Sequence, residues 1–296
     1  MRTLLYFLFA LIIFSACRNN AENGPVKGAM EAFKTDPSLK NYNDLILATN
    51  EAMEQNGGMD SELILSTLSA ITEAGKAESG QEWVMELLKN NSSFDGREDV
   101  VAAYADLWEK DLQKPTQASI LRQGLLKNYP ELPALSIYKN TLDGLPPVEE
   151  RIKGFAEKIF NGESGDFNPK VAYSFIPACE NYAIALPKDS LSPNFLIDAA
   201  TIARNLNQTQ KVLELFKWVY TNYPESPKAG DARFSEAFTY DNDLKDYDRA
   251  KVAYEAFLKD YPTHPFAESA QVMLNNLGKS DEQIIRELEA KAKAAE

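Results

Sequence analysis

Between residues 209 and 223 the apolar positions Val212, Leu215, Phe216, Val219, Tyr220 and Tyr223 recur at spacings of three and four. That is the period of one helix face, so the segment predicts an amphipathic α-helix with a single apolar stripe. Ala250, Ala253, Tyr254, Phe257, Leu258 and Tyr261 write the stripe again, with small residues where a neighbouring helix must come close. Each stripe needs a partner face, and the residues that follow supply one. Ser226-Pro227 and His264-Pro265 predict the start of a new helix. The residue before proline is held extended, and proline at the first helical position lacks only an N–H that would be unpaired anyway. The stretches TNYPESPKAGDA (221–232) and KDYPTHPFAESA (259–270), 38 residues apart, therefore read as a stop, a turn and a start. The phrase occurs twice because a helical pair occurs twice.

The unit from Pro193 to Ser226 is 34 residues long, the tetratricopeptide period. Its Ala200, Asn207, Val212, Phe216 and Pro224, and then Ala250, Tyr254, Phe257 and Pro262 after the turn Asp246–Ala250, fall at the small, turn, aromatic, inner-face and terminal positions of that repeat. On these residues the chain resembles the tetratricopeptide repeat family, and within it the bacterial envelope lipoproteins of the outer-membrane assembly and Tol-Pal-associated types. Asn207 stands where the family has a turn glycine, which the left-handed tolerance of Asn permits. The second unit is four residues longer than the strict period. The resemblance is strongest over residues 190–278. It implies an all-α fold, a tetratricopeptide-like α-α superhelix (solenoid) of antiparallel helix pairs, and a protein-interaction scaffold.

Upstream, segments near 29–35, 41–55, 60–75, 80–90, 96–112, 116–128, 132–141, 147–161 and 169–185 have helical composition. Breakers such as Asn56-Gly57-Gly58 and Leu145-Pro146-Pro147 separate them, and nothing alternates as a strand would. Residues 29–145 read as degenerate helical repeats and 146–278 as the tetratricopeptide-like set, either divided near Gly144–Pro147 or continuous. Pro177 is expected to kink or split its helix. Ser280 with Gln283 predicts a capping box, so residues 279–296 form a solvated C-terminal capping helix.

The N-terminus changes the picture of where this fold resides. Residues 1–16 place Arg2 before an apolar run from Leu4 to Phe14 and small residues, an export signal too short to span a bilayer as a stable helix. Phe14-Ser15-Ala16-Cys17 resembles a lipobox, which implies acylation of Cys17. Acyl chains contribute about 0.8 kcal/mol per buried methylene, and two or more hold a protein on a membrane. Polar residues 17–28 are expected to be a flexible tether. Only Glu22 supplies acid after Cys17, which favours the outer membrane on its periplasm-facing side over the cell surface.

Without residues 1–16 the chain carries 30 basic and 44 acidic side chains, about −14, which disfavours nucleic acid. With Cys17 acylated, Cys179 has no disulfide partner and reads as a small buried hydrophobe. His264 is the only histidine, so His-rich zinc sites are excluded and a Ser-His-Asp arrangement would rest on one turn residue. Gly278-Lys279-Ser280 lacks the upstream glycine of a phosphate loop, since Met273 stands there. Asp241, Asp243, Asp246 and Asp248 crowd eight residues, but Lys245, Asp246 and Val252 occupy positions where a calcium loop needs Asp or Asn, Gly and Glu. A hydrated turn is the plainer reading. Trp83, Trp108 and Trp218 lie within helical patterns and read as core.

No cofactor, metal or catalytic residue follows from this inventory. The expectation is a membrane-tethered adaptor that binds a protein or peptide segment of the cell envelope, because stacked helix pairs expose an extended surface. First helices should line it, with Asp198, Thr201, Arg204, Asn205, Asp231, Arg233, Ser235 and Glu236 as candidates. A glycan-binding outer-membrane lipoprotein is the alternative, which exposed Trp at a cleft would favour.

Overall fold

A computed structural model describes residues 24–160 and 165–294. Cys17, the signal segment and the start of the tether lie outside these residues. Among the described residues no strand forms; a lone antiparallel bridge joins Phe160 to Phe167. No described helix is long and apolar enough to cross a membrane.

The chain divides into two compact units, one ending at Pro146 and one beginning at Pro147. The N-terminal unit contains α1 (Gly24–Thr35), α2 (Leu39–Gln55), α3 (Ser61–Glu73), α4 (Ala77–Asn90), α5 (Arg97–Asp106), α6 (Pro115–Asn128) and the short α7 (Lys139–Asp143). The C-terminal unit contains α8 (Val148–Ile159), α9 (Pro169–Ala185), α10 (Ser192–Asn205), α11 (Thr209–Asn222), α12 (Lys228–Phe238), α13 (Tyr247–Asp260), α14 (Ala267–Asn276) and α15 (Asp281–Ala294). From α8 to α14 each helix of the C-terminal unit packs on the next, and α10 also touches α12, as stacked antiparallel pairs require. The predicted stripes are the core: Val212, Leu215, Phe216 and Val219 are buried, as are Ala250, Ala253, Tyr254 and Phe257.

Three expectations shift. Residues 24–28 are not tether but the first turn of α1, because Val26 is buried. Pro177 does not split α9, which runs unbroken from Pro169 to Ala185. The carbonyl that loses its bond to Pro177 belongs to the exposed Tyr173, where water can satisfy it. Pro227 and Pro265 sit just before α12 and α14 rather than at their first residues, since the carbonyls of Ser226 and His264 first close tight turns onto the N–H groups of Ala229 and Ala267.

The hairpins share one construction. Gly75, Gln113, Asn207 and Lys245 all adopt a left-handed conformation two residues before α4, α6, α11 and α13, with φ of 70°, 54°, 57° and 54°. Gln113 and Lys245 each follow a π-helical turn, Leu107–Asp111 and Thr239–Asp243. The π-turn takes up residues added to the first helix of the pair, which explains the longer second repeat. The second helices end alike: Tyr129, Tyr223 and Tyr261 close α6, α11 and α13 with φ near −130° and donate N–H to Leu125, Val219 and Phe257, and Asn91 closes α4 with φ of −128° and donates to Leu87. An offset of 132 residues carries Gly75 to Asn207, the first π-turn onto the second, α4 onto α11 and α6 onto α13. The two units thus repeat one four-helix plan.

Candidate functional site

The eight candidate residues lie on α10 and α12, but they do not form one surface. Asp198, Thr201 and Asn205 are exposed on α10. Arg204 instead turns onto the π-turn after α12: its Nη2 donates to Thr239 Oγ1 at 2.7 Å and its Nε lies 3.1 Å from Asp243 Oδ2. Crowding by protein raises the Asp198 carboxyl above its ordinary range, partly offset by the Lys228 charge. On α12, Asp231 and Ser235 are four residues apart and share a side, whereas Arg233 and Glu236 point to another, about 200° round the helix from Asp231 in the case of Arg233. Asp231 pairs with Lys228 at 3.3 Å and lies 3.5 Å from His264 Nε2.

Arg233 and Glu236 form a compact network with α11. Arg233 Nη1 donates to Glu236 Oε2 at 3.1 Å, and its guanidinium lies 4.3 Å over the Tyr220 ring. The Tyr220 hydroxyl donates to Glu236 Oε1 at 3.1 Å. Burial raises the Glu236 carboxyl, with Arg233 and Tyr220 acting against that rise. Burial and the Glu236 charge together raise the Tyr220 phenol.

Beside this network an open pocket of about 400 Å³ lies between α12 and α13. Arg233, Glu236 and Tyr240 line one side and Asp248, Arg249, Val252 and Ala253 the other. Arg249 is held by Asp246, with Nε 2.6 Å from Oδ2, and lies 4.8 Å over the Tyr240 ring. Val252 is 67% exposed. The sequence pattern offered Arg233 and Glu236 but missed Tyr240, Arg249 and Val252. Val252 falls outside the apolar stripe of its helix, and that lapse in pattern was the signal.

The aspartate cluster does four separate things. Asp241 accepts from the Tyr254 hydroxyl at 3.3 Å, Asp243 pairs with Arg204, Asp246 caps α13 by accepting the Arg249 N–H at 3.0 Å, and Asp248 lines the pocket. Among the described residues no acid, His or Cys group converges as a metal site would require. His264 packs in its turn: its ring lies 5.4 Å from those of Phe257 and Phe266, and Nδ1 accepts the Phe266 N–H at 3.2 Å. Cys179 is fully buried, and burial pushes its thiol well up. All three tryptophans are buried, so none offers the exposed platform a sugar would stack on.

No protein-family model matches the chain. No curated protein matches it either. Among solved structures it is similar to the TPR2AB domain of yeast Sti1 in complex with pHSP90, at 15% identity and a TM-score of 0.31, over 89% of this chain and all of the other. So low a score carries no weight for this chain, and the architecture stands on the helix pairs themselves.

Proposed function

We propose that this protein is a lipid-anchored, tetratricopeptide-like scaffold of the bacterial envelope, held by Cys17 to the periplasm-facing side of the outer membrane, that captures a segment of another envelope protein. It acts by binding rather than catalysis. The observation that carries this reading is the open pocket between α12 and α13, where two arginines already lie over tyrosine rings and pair with carboxylates of their own helices. Pre-ordered Arg and Tyr groups lose little entropy on association, which is why such residues dominate protein-binding hot spots. The exposed polar row of Asp198, Thr201 and Asn205 offers a second contact line on α10.

Site-specific photocrosslinkers at Val252 and Thr201, activated in intact cells, test the scaffold. One discrete protein adduct at either position, reproduced with the purified partner, is expected. Absence of adducts at both would overturn it. The anchor is tested by the intact mass of the N-terminal peptide: acyl chains on Cys17, and release into the soluble fraction by Cys17→Ser, are expected, while an unmodified thiol would remove the tether from the proposal.

A further inference from the structure

The constant offset between the units shows what the pocket is missing. Arg233, Glu236, Tyr240, Val252 and Ala253 correspond to Val101, Tyr104, Trp108, Ile120 and Leu121. In the N-terminal unit all five are buried, none more than 4% exposed. Tyr104 and Trp108 meet there edge to face at 6.1 Å. Of the two remaining lining residues, Arg249 corresponds to the buried Gln117 and Asp248 to the exposed Thr116, so most of the stations that form a buried, aromatic-rich contact in one unit line an open pocket in the other.

The lining decides what would fill it. Both cations are already neutralised, Arg233 by Glu236 and Arg249 by Asp246. A ligand carboxylate would have to displace a carboxylate that is in place, and it would meet Glu236 and Asp248 as like charges. An aromatic ring faces no such competition. Each guanidinium already lies over a tyrosine ring, Arg233 at 4.3 Å and Arg249 at 4.8 Å, and a further ring is attracted to such a cation through its quadrupole while excluding water from it. The exposed Val252 and the small Ala253 supply apolar surface beneath. The volume accommodates one large side chain with its flanking backbone, at the low end of the range of about 300–1,000 Å³ that small-molecule sites span.

We infer that the α12–α13 pocket receives an aromatic side chain, tryptophan or tyrosine, from the segment of the partner protein, replacing from outside the ring that Tyr104 provides from within the N-terminal unit, while Tyr240 keeps an aromatic at the Trp108 station. The inference rests on the scaffold reading above and gives it a recognition chemistry.

The test uses the full lipid-anchored chain, labelled with 15N-arginine and held in nanodiscs, titrated with N-acetyl-tryptophanamide. Saturable shifts of the Arg233 and Arg249 Nε–Hε signals are expected, with N-acetyl-leucinamide binding several-fold more weakly. Arg249→Gln should weaken the indole probe by about threefold, because one cation face is lost. Val252→Trp should abolish binding by filling the pocket, with circular dichroism unchanged. Arginine signals that stay still up to the solubility limit, or leucinamide binding as well as the indole, would overturn the inference. Crosslinks at Val252 without any indole response leave the scaffold standing and remove the aromatic pocket; indole binding without protein adducts at Val252 or Thr201 does the reverse.

Discussion

Arg122 in α6 and Tyr254 in α13 occupy the same station in the two units, yet they solve it with different chemistry. Arg122 is 3% exposed; it pairs with Asp106 at 2.6 Å and Glu109 at 2.7 Å and lies 3.7 Å over the Tyr138 ring. Tyr254 is fully buried, and its hydroxyl donates to Asp241, the counterpart of Glu109. Both acids stand on π-turns. What recurs is therefore a requirement rather than a residue: the second helix must send a donor to the acid on the π-turn while filling the space beneath it. A phenol meets both needs with a neutral ring, whereas a guanidinium does so only with a stacked tyrosine and two carboxylates.

The largest expected effect follows from that contrast. Tyr254→Ala should cost about 4 kcal/mol, as large aromatic truncations in cores do. Arg122→Ala should cost less, about 2 kcal/mol, because Asp106 and Glu109 are partly exposed and water re-solvates them once the cation is gone. Urea unfolding of each variant measures the difference. Arg122→Tyr should recover most of the loss; a loss equal to that of Arg122→Ala would break the equivalence of the two stations.

The networks should also respond oppositely to pH. Burial raises the Asp106 carboxyl, but hydrogen bonds and charge from Lys110 and Arg122 outweigh it and hold the group below its ordinary range. Its contribution to stability is present above the unfolded carboxylate pKa and is lost as pH falls through the lower folded value. Glu236 is raised by burial, so its contribution is present below the unfolded pKa and is lost as pH rises through the higher folded value. Rising pH in the acid range should thus protect α5 and α6 and loosen α12. Hydrogen exchange corrected for intrinsic rates reads both slopes. Arg122→Ala should flatten the first and Glu236→Gln the second; parallel slopes in the wild type would contradict the assignment.

Glycine positions sharpen the comparison at smaller scale. A methyl on Gly230 would stand 2.6 Å from the His264 ring, which Phe257 and Phe266 hold in place. A methyl on Gly80 would meet side-chain methyls alone, Leu68 Cδ1 at 3.1 Å, Ile71 Cγ2 at 3.2 Å and Leu107 Cδ1 at 3.6 Å. Gly230→Ala should cost about 2 kcal/mol, and Gly80→Ala about 0.5 or less, since its contacts are longer by about half an ångström and alanine is the better helix former inside α4. The counterpart of Gly80 is Val212, which shows that the station accepts a larger side chain.

These contrasts explain what the sequence made legible. The C-terminal pairs were readable because Val212, Phe216, Tyr254 and Phe257 keep the stripe apolar. In the N-terminal unit the same plan is hidden because Arg122 puts a charge at an aromatic station and Gly80 leaves a small one nearly blank. Gly75 and Asn207 announce their left-handed turns; Gln113 and Lys245 do not, and a π-turn has no residue signature of its own. The pocket was half visible for a similar reason. Helical spacing already sets Arg233 apart from Asp231 and Ser235, but only packing reveals that Arg233 and Glu236 turn towards Tyr240 and Val252.

The smallest effect tests the hairpin itself. Lys245 holds φ of 54°, where an L-residue other than Asn or Asp is strained by about 1 kcal/mol. Glycine removes the strain but adds freedom to the unfolded chain, so Lys245→Gly should stabilise by about 0.5 kcal/mol. Asn207→Gly should be close to neutral, because Asn already tolerates φ of 57°. The neighbouring Leu244→Gly, at φ of −102°, gains no relief and should destabilise. Thermal unfolding of the three variants orders them. If Lys245→Gly falls with Leu244→Gly instead of above the wild type, the left-handed turn that sets the 132-residue correspondence at this hairpin is wrong, and with it the alignment of Tyr240 on Trp108.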